Sequence, residues 1–181
     1  MHTHLPRRFL RVCSAFTLIE LIVVMVCMAV VAAVAIPSMS NLGTQRQAVA
    51  ARQVLRDLTY TRERAMAAGL THWVSFNTSS NTYSVLAENP ASPGRAGATT
   101  ITDPASGALF LQRLNTGELA GATLSTVTFD STSEVCFDRL GRPGSTAGAT
   151  LAADGTVSLS GGWVVRVLRT SGLTTLTGGG S

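Results

Sequence analysis

The sequence has no lysine; all 14 basic residues are arginine, set against 10 acidic ones. Charge is sparse, at 13%, while 45% of residues are hydrophobic, which excludes a solvated, disordered chain. Cysteine is scarce and scattered. Cys13, Cys27 and Cys136 form no C-x-x-C pair and no Cys/His cluster, so a zinc site is excluded. Cys27 lies within a long apolar run, out of reach of Cys136, which excludes an intramolecular disulfide. Histidine is rarer still in the body of the chain. His2 and His4 stand at the head, leaving His72, which reads as a surface or packed residue at a strand start.

Catalytic signatures are missing too. There is no G-x-S-x-G, no phosphate-binding Walker pattern and no G-x-G-x-x-G fingerprint. Asp103, Asp130, Asp138 and Asp154 are scattered without calcium-loop spacing. The expectation is a protein that is not an enzyme and holds neither metal nor cofactor. The formal net charge of +4 is no nucleic-acid footprint either. Arg7, Arg8 and Arg11 account for most of it, and the remainder is close to neutral.

What the chain does have is one long apolar run. Residues 16–36 read FTLIELIVVMVCMAVVAAVAI, with Glu20 as the single charge. As a helix this run spans about 30 Å, one bilayer core. The three arginines on its N-terminal side place that end in the cytoplasm and the remainder beyond the membrane. An ordinary signal peptide has a shorter apolar stretch, usually about 7–15 residues, and no acid within it. A plain anchor fits the length and leaves Glu20 unexplained, although an acid in lipid is by default functional.

The string Ala15-Phe16-Thr17-Leu18-Ile19-Glu20, a short basic leader before it and the apolar run after it, resembles the class III signal of type IV prepilins and pseudopilins. The resemblance implies cleavage between Ala15 and Phe16 by a prepilin peptidase, with Ala15 standing where the family has glycine. It implies N-methylation of Phe16 and pairing of Glu20 with the N-terminal amine of a neighbouring subunit. A buried carboxylate and a buried ammonium are each costly alone and tolerable together, so such a pair would set register. The implied partners are other pilin or pseudopilin subunits, the peptidase, an inner-membrane assembly platform and membrane lipid.

Beyond the run, Pro37 is expected to kink the helix, and the polar stretch Ser38–Gln47 with Gly43 is a candidate local break. Helical periodicity resumes with Ala51, Val54, Leu58, Thr61, Ala65 and Ala68, and Gly69 reads as the stop. The arginines from Arg52 to Arg64 read as a solvated face. The period then changes to two. Trp73–Asn77 and Thr82–Leu86 flank a turn at Thr78–Asn81. Residues 88–107 read as a long surface loop without folded structure. Further strands are expected at Leu109–Leu114, Thr126–Phe129, Val135–Phe137, Val157–Leu159, Trp163–Leu168 and Leu173–Leu176. Trp73 and Trp163 are expected between helix and sheet.

These elements predict an α+β fold, a long N-terminal helix covered in its second half by an antiparallel sheet. The expected divisions are a leader at 1–15, a membrane and assembly helix at 16–36, an amphipathic continuation at 37–69, a periplasmic β-rich domain at 70–177 and a flexible tail at 178–181. The element order resembles the GspH/FimT group of minor pilins, as does the Phe137-Asp138-Arg139-Leu140-Gly141-Arg142-Pro143 turn. The group includes subunits that take up DNA through a basic C-terminal motif. The corresponding candidates here are Arg166 and Arg169, but Leu173 stands where a further arginine is expected, and the two arginines are at odd offset on a strand. The resemblance therefore implies a minor pseudopilin or pilin subunit of the bacterial inner membrane, with DNA binding as the alternative.

Overall fold

The computed structural model describes residues 17–179, without the side chains of residues 34–41. The chain divides into two units, Met1–Ser40 and Asn41–Ser181. Helix α1 is assigned over Leu18–Ala68, unbroken through Pro37 and Gly43. In the first unit the large apolar side chains from Leu18 to Val31 are bare; Leu18 and Ile19 are 79% and 70% exposed. Among the described residues no helix is long and apolar enough to cross a membrane.

In the second unit the helix has a buried stripe. Ala50, Ala51, Val54, Leu58, Thr61 and Ala65 are fully buried, while Ala68 is exposed. Thr61 is polar, and its hydroxyl donates back to the Asp57 carbonyl at 2.6 Å, so its burial leaves no orphan group. Gly69 follows the last turn with φ 66°, the left-handed conformation that ends helices.

Among the described residues ten strands follow, and all their pairings are antiparallel. They are β1 (His72–Asn77), β2 (Thr82–Ala87), β3 (Thr99–Thr100), β4 (Leu111–Arg113), β5 (Leu124–Thr128), β6 (Glu134–Phe137), β7 (Pro143–Gly144), β8 (Gly155–Leu159), β9 (Trp163–Val167) and β10 (Thr174–Thr177). The first sheet has the order β3-β2-β1-β6-β7, with β4 also on β2; the second has the order β10-β9-β8-β5. The β1–β2 hairpin turns at 78–81, where the Asn77 side chain accepts from the Ser80 amide at 3.1 Å.

Strand alternation sorts the first sheet into two faces. Val74, Phe76, Val85, Val135 and Phe137 share one core with the helix stripe and with Val157, Leu159, Val165 and Val167 of the second sheet. Trp73 lies on the other face, opposite Leu86 and Cys136, with its Nε1 donating to the Thr146 carbonyl at 3.1 Å. The expectation that Trp73 sits between helix and sheet is therefore corrected, because its neighbours Val74 and His72 alternate with it. Trp163 does pack against the shared core, half-buried.

Residues 88–107 are also corrected. They hold β3 and a short 3-10 turn at Arg95–Gly97, and their polar side chains tie them down. Arg95 grips Glu134 through two bonds, Nε to Oε2 at 3.0 Å and Nη2 to Oε1 at 2.6 Å. Glu88 accepts from the Gly94 and Thr71 amides at 3.0 and 3.2 Å, and the Gly94 bond helps hold its carboxyl below the usual range. Charge-assisted bonds of this kind are the stronger ones. A Pro- and Gly-rich composition signals turns but does not reveal which polar side chains hold them in place.

Candidate functional site

The helix start is built by Thr17. Its carbonyl accepts from the Leu21 amide, and its hydroxyl accepts from the Glu20 amide at 3.3 Å. This is N-cap geometry, with Thr17 and Glu20 at the two ends of a capping-box spacing. Glu20 is exposed in the first turn, where the helix dipole favours an anion. Ala15 and Phe16, the expected cleavage and methylation residues, lie outside the described residues, and Pro37 is described only as part of the helix.

The two C-terminal arginines are placed differently from expectation. Arg166 is on β9, but Arg169 lies beyond its end at Val167, so strand alternation does not relate them. Asp154 stands by both. Its Oδ2 is 3.8 Å from Arg166 Nη1, and its Oδ1 accepts from the Arg169 backbone amide at 3.0 Å. An acid placed there counters the phosphate-binding potential of Arg166.

Arg62 departs from the solvated face assigned to Arg52–Arg64. Arg52, Arg56 and Arg64 are exposed, but Arg62 is half-buried. Its Nε donates to the carbonyls of Gly141 and Ser171, both at 3.1 Å. Those carbonyls come from the β6–β7 turn and the β9–β10 turn, one from each sheet. Gly141 has φ 75° and Gly172 has φ 68°, and a Cβ on either would press on Arg62.

Sequence reasoning missed Asp57. It lies on the helix between arginines, and its Oδ2 accepts from the Tyr83 hydroxyl at 2.6 Å. Burial pushes its carboxyl up to about 6, only partly offset by the tyrosine bond. The pairing of a helix acid with a strand tyrosine 26 residues away has no local signal. His72 is buried at 2% exposure, its Nδ1 3.0 Å from the Leu70 carbonyl, and burial lowers its pKa. Cys136 is buried as well, and burial pushes its thiol up to about 11. Among the described residues no His, Cys, Asp and Glu side chains gather into a metal-sized group.

Comparison with known proteins adds two findings. Residues 10–36 match the prokaryotic N-terminal methylation motif. The folded chain is similar to two solved structures of the minor pseudopilin EpsH from the type II secretion system of Vibrio cholerae. One is 13% identical, with TM-score 0.52, over 74% of this chain and 97% of that one. The other is 11% identical, with TM-score 0.55, over 76% and 99%. The fold is pilin-like. Curated proteins give no significant match. The α+β expectation of a helix on antiparallel sheets matches this fold.

Proposed function

We propose that this chain is a minor pseudopilin or pilin, a structural subunit of a type II secretion machine or a type IV pilus. The observation that carries the reading is the conjunction of a methylation motif at residues 10–36 and a pilin-like fold behind it in one chain. Prepilin peptidase cuts between Ala15 and Phe16, and Phe16 becomes the methylated terminus. Residues 16–36 hold the subunit in the inner membrane, with the N-terminus cytoplasmic and the β-rich domain periplasmic. In the filament Glu20 pairs with the amine of a neighbour, where leaving either charge alone would cost about 3–5 kcal/mol. The bare apolar side chains from Leu18 to Val31 support burial in lipid first and among neighbouring helices later.

The test is intact mass and N-terminal sequencing of the full chain purified from membranes, with and without co-expressed prepilin peptidase. A chain beginning at methylated Phe16 only when the peptidase is present is the expected result. A chain cut near Ile36, or left uncut with the peptidase present, would remove the reading. The DNA-binding alternative gains little support from this region: Asp154 stands 3.8 Å from the Arg166 guanidinium, and Arg169 lies past the strand end with its backbone amide donating to the same acid.

A further inference from the structure

An open cleft with a cavity volume of 290 Å³ lies where helix α1 passes the segment 103–112, and the subunit reading gives it no task. Sites for small ligands run from about 300 to 1,000 Å³, so this one has room for a single ring rather than a long chain. The helix contributes Gln53, Arg56, Asp57 and Tyr60. Their spacing of three and four sets them on one flank. Asp103, Phe110 and Gln112 form the facing flank.

The cleft is held in shape by its own bonds. The Tyr60 and Phe110 rings stack at 5.8 Å, with Phe110 buried. Gln53 Nε2 donates to Gln112 Oε1 at 3.1 Å, which joins the two flanks. Gln112 Nε2 donates in turn to Asp103 Oδ2 at 3.3 Å. The Ala105 amide and the Ser106 hydroxyl fix the same carboxylate at 2.9 and 2.8 Å.

What these bonds leave unspent is at Arg56 and Asp57. The Tyr83 hydroxyl takes Oδ2 of Asp57, and Oδ1 receives no hydrogen bond among the described residues, although burial has removed much of its water. Arg56 is exposed and makes no ion pair among the described residues. Consecutive helix residues do not face each other. The two charges therefore line one cleft without satisfying each other by contact.

This mixture of groups selects the ligand. A cation would meet Arg56 there, and an anion would meet Asp57 and Asp103. A carboxylate only accepts hydrogen bonds and a guanidinium only donates them, whereas a hydroxyl does both. A ring bearing several hydroxyls complements both kinds of group at once. Its C–H face, polarised by the neighbouring oxygens, suits the negative face of an aromatic ring.

We propose that this cleft binds one unit of a neutral saccharide, its hydroxyls bridging Asp57 Oδ1 and the Arg56 guanidinium and its ring laid against Tyr60. The site goes beyond the subunit reading and does not depend on it. A chain that stays out of filaments binds the sugar all the same.

The test uses the full chain in a detergent without a sugar headgroup. The labelled chain is applied to a printed array of neutral and charged oligosaccharides, and saturation-transfer NMR is run on the glycans it retains. The expected result is retention of neutral glycans, with saturation concentrated on the ring C–H protons of one unit. Arg56→Ala, an exposed change, should weaken the affinity about tenfold, the usual weight of a hydrogen bond to a charged group. Asp57→Asn, which keeps an acceptor for Tyr83, should weaken it about threefold. Arg52→Ala, exposed on the same helix but outside the cleft, should leave it unchanged. No glycan retained, retention of charged glycans only, or an affinity indifferent to Arg56→Ala would overturn the proposal. So would an equal loss with Arg52→Ala, which marks general charge, or displacement of the glycan by glycylglycine, which marks a site for charged peptide ends. Incorporation into sheared filaments is read separately, so a failed subunit reading and a failed sugar site give different results.

Discussion

The Tyr83 hydroxyl on β2 donates to Asp57 on the helix at 2.6 Å, a direct polar tie between the two layers that share the core. Burial raises the Asp57 carboxyl from 3.8 to about 6. The folded protein therefore binds this proton more tightly than the unfolded chain. The contribution is most favourable below about pH 3.8 and is lost as pH rises through about 6, a difference of about 3 kcal/mol. Between pH 5 and 7 the Asp57 contribution, read in denaturant unfolding of the full chain in detergent as the difference from Asp57→Asn, should fall as pH rises, while buried His72 titrates in the opposite sense in both proteins. A difference that does not change with pH would count against the burial of this group.

Arg62 predicts a coupling between turns distant in sequence. Arg62→Ala removes a charged donor from two carbonyls and should cost about 2–3 kcal/mol, using the usual worth of bonds to charged groups. Hydrogen exchange should rise together at residues 139–142 and 170–173. A rise at only one of them would mean that the two bonds are not shared.

Cys136 should be chemically silent while the protein is folded. Its thiol donates to the Ser145 carbonyl at 3.1 Å, and burial pushes it from 9.0 to about 11. At pH 8 the thiolate fraction falls about 100-fold from that shift alone. Iodoacetamide labelling followed by mass spectrometry should find Cys136 modified only after unfolding in urea.

Glu20 and Thr17 can be separated. If Glu20 served the helix start alone, Thr17→Ala and Glu20→Gln would weaken assembly alike, each at about 1 kcal/mol or less. If the carboxylate pairs with a neighbour, Glu20→Gln should abolish filament incorporation while Thr17→Ala largely retains it. Immunoblots of sheared filaments read the difference.

Local signals carried much of the fold into the sequence. The buried stripe at Ala51, Val54, Leu58, Thr61 and Ala65 follows from helical period, and the β1–β2 hairpin from period two around a polar turn. Most later strands were visible within a residue or two of their ends; β3 and β7, two residues each, are too short to show a period. What escaped were relationships set by the approach of distant segments: Tyr83 on Asp57, Arg95 on Glu134, Arg62 on two turns, and Asp154 beside Arg166. The methylation motif was legible because it is a contiguous string.

The connection from helix to sheet along the chain is only Gly69, Leu70 and Thr71, but Arg62 binds a turn from each sheet before that point. A pull on the helix in the direction of its N-terminus is therefore shared. Part of the load enters the first sheet through Gly141, part enters the second through Ser171, and the short connector is relieved of carrying it alone. The same load also passes through the Tyr83–Asp57 bond and the buried helix stripe, so the helix and its sheets resist the pull as one body.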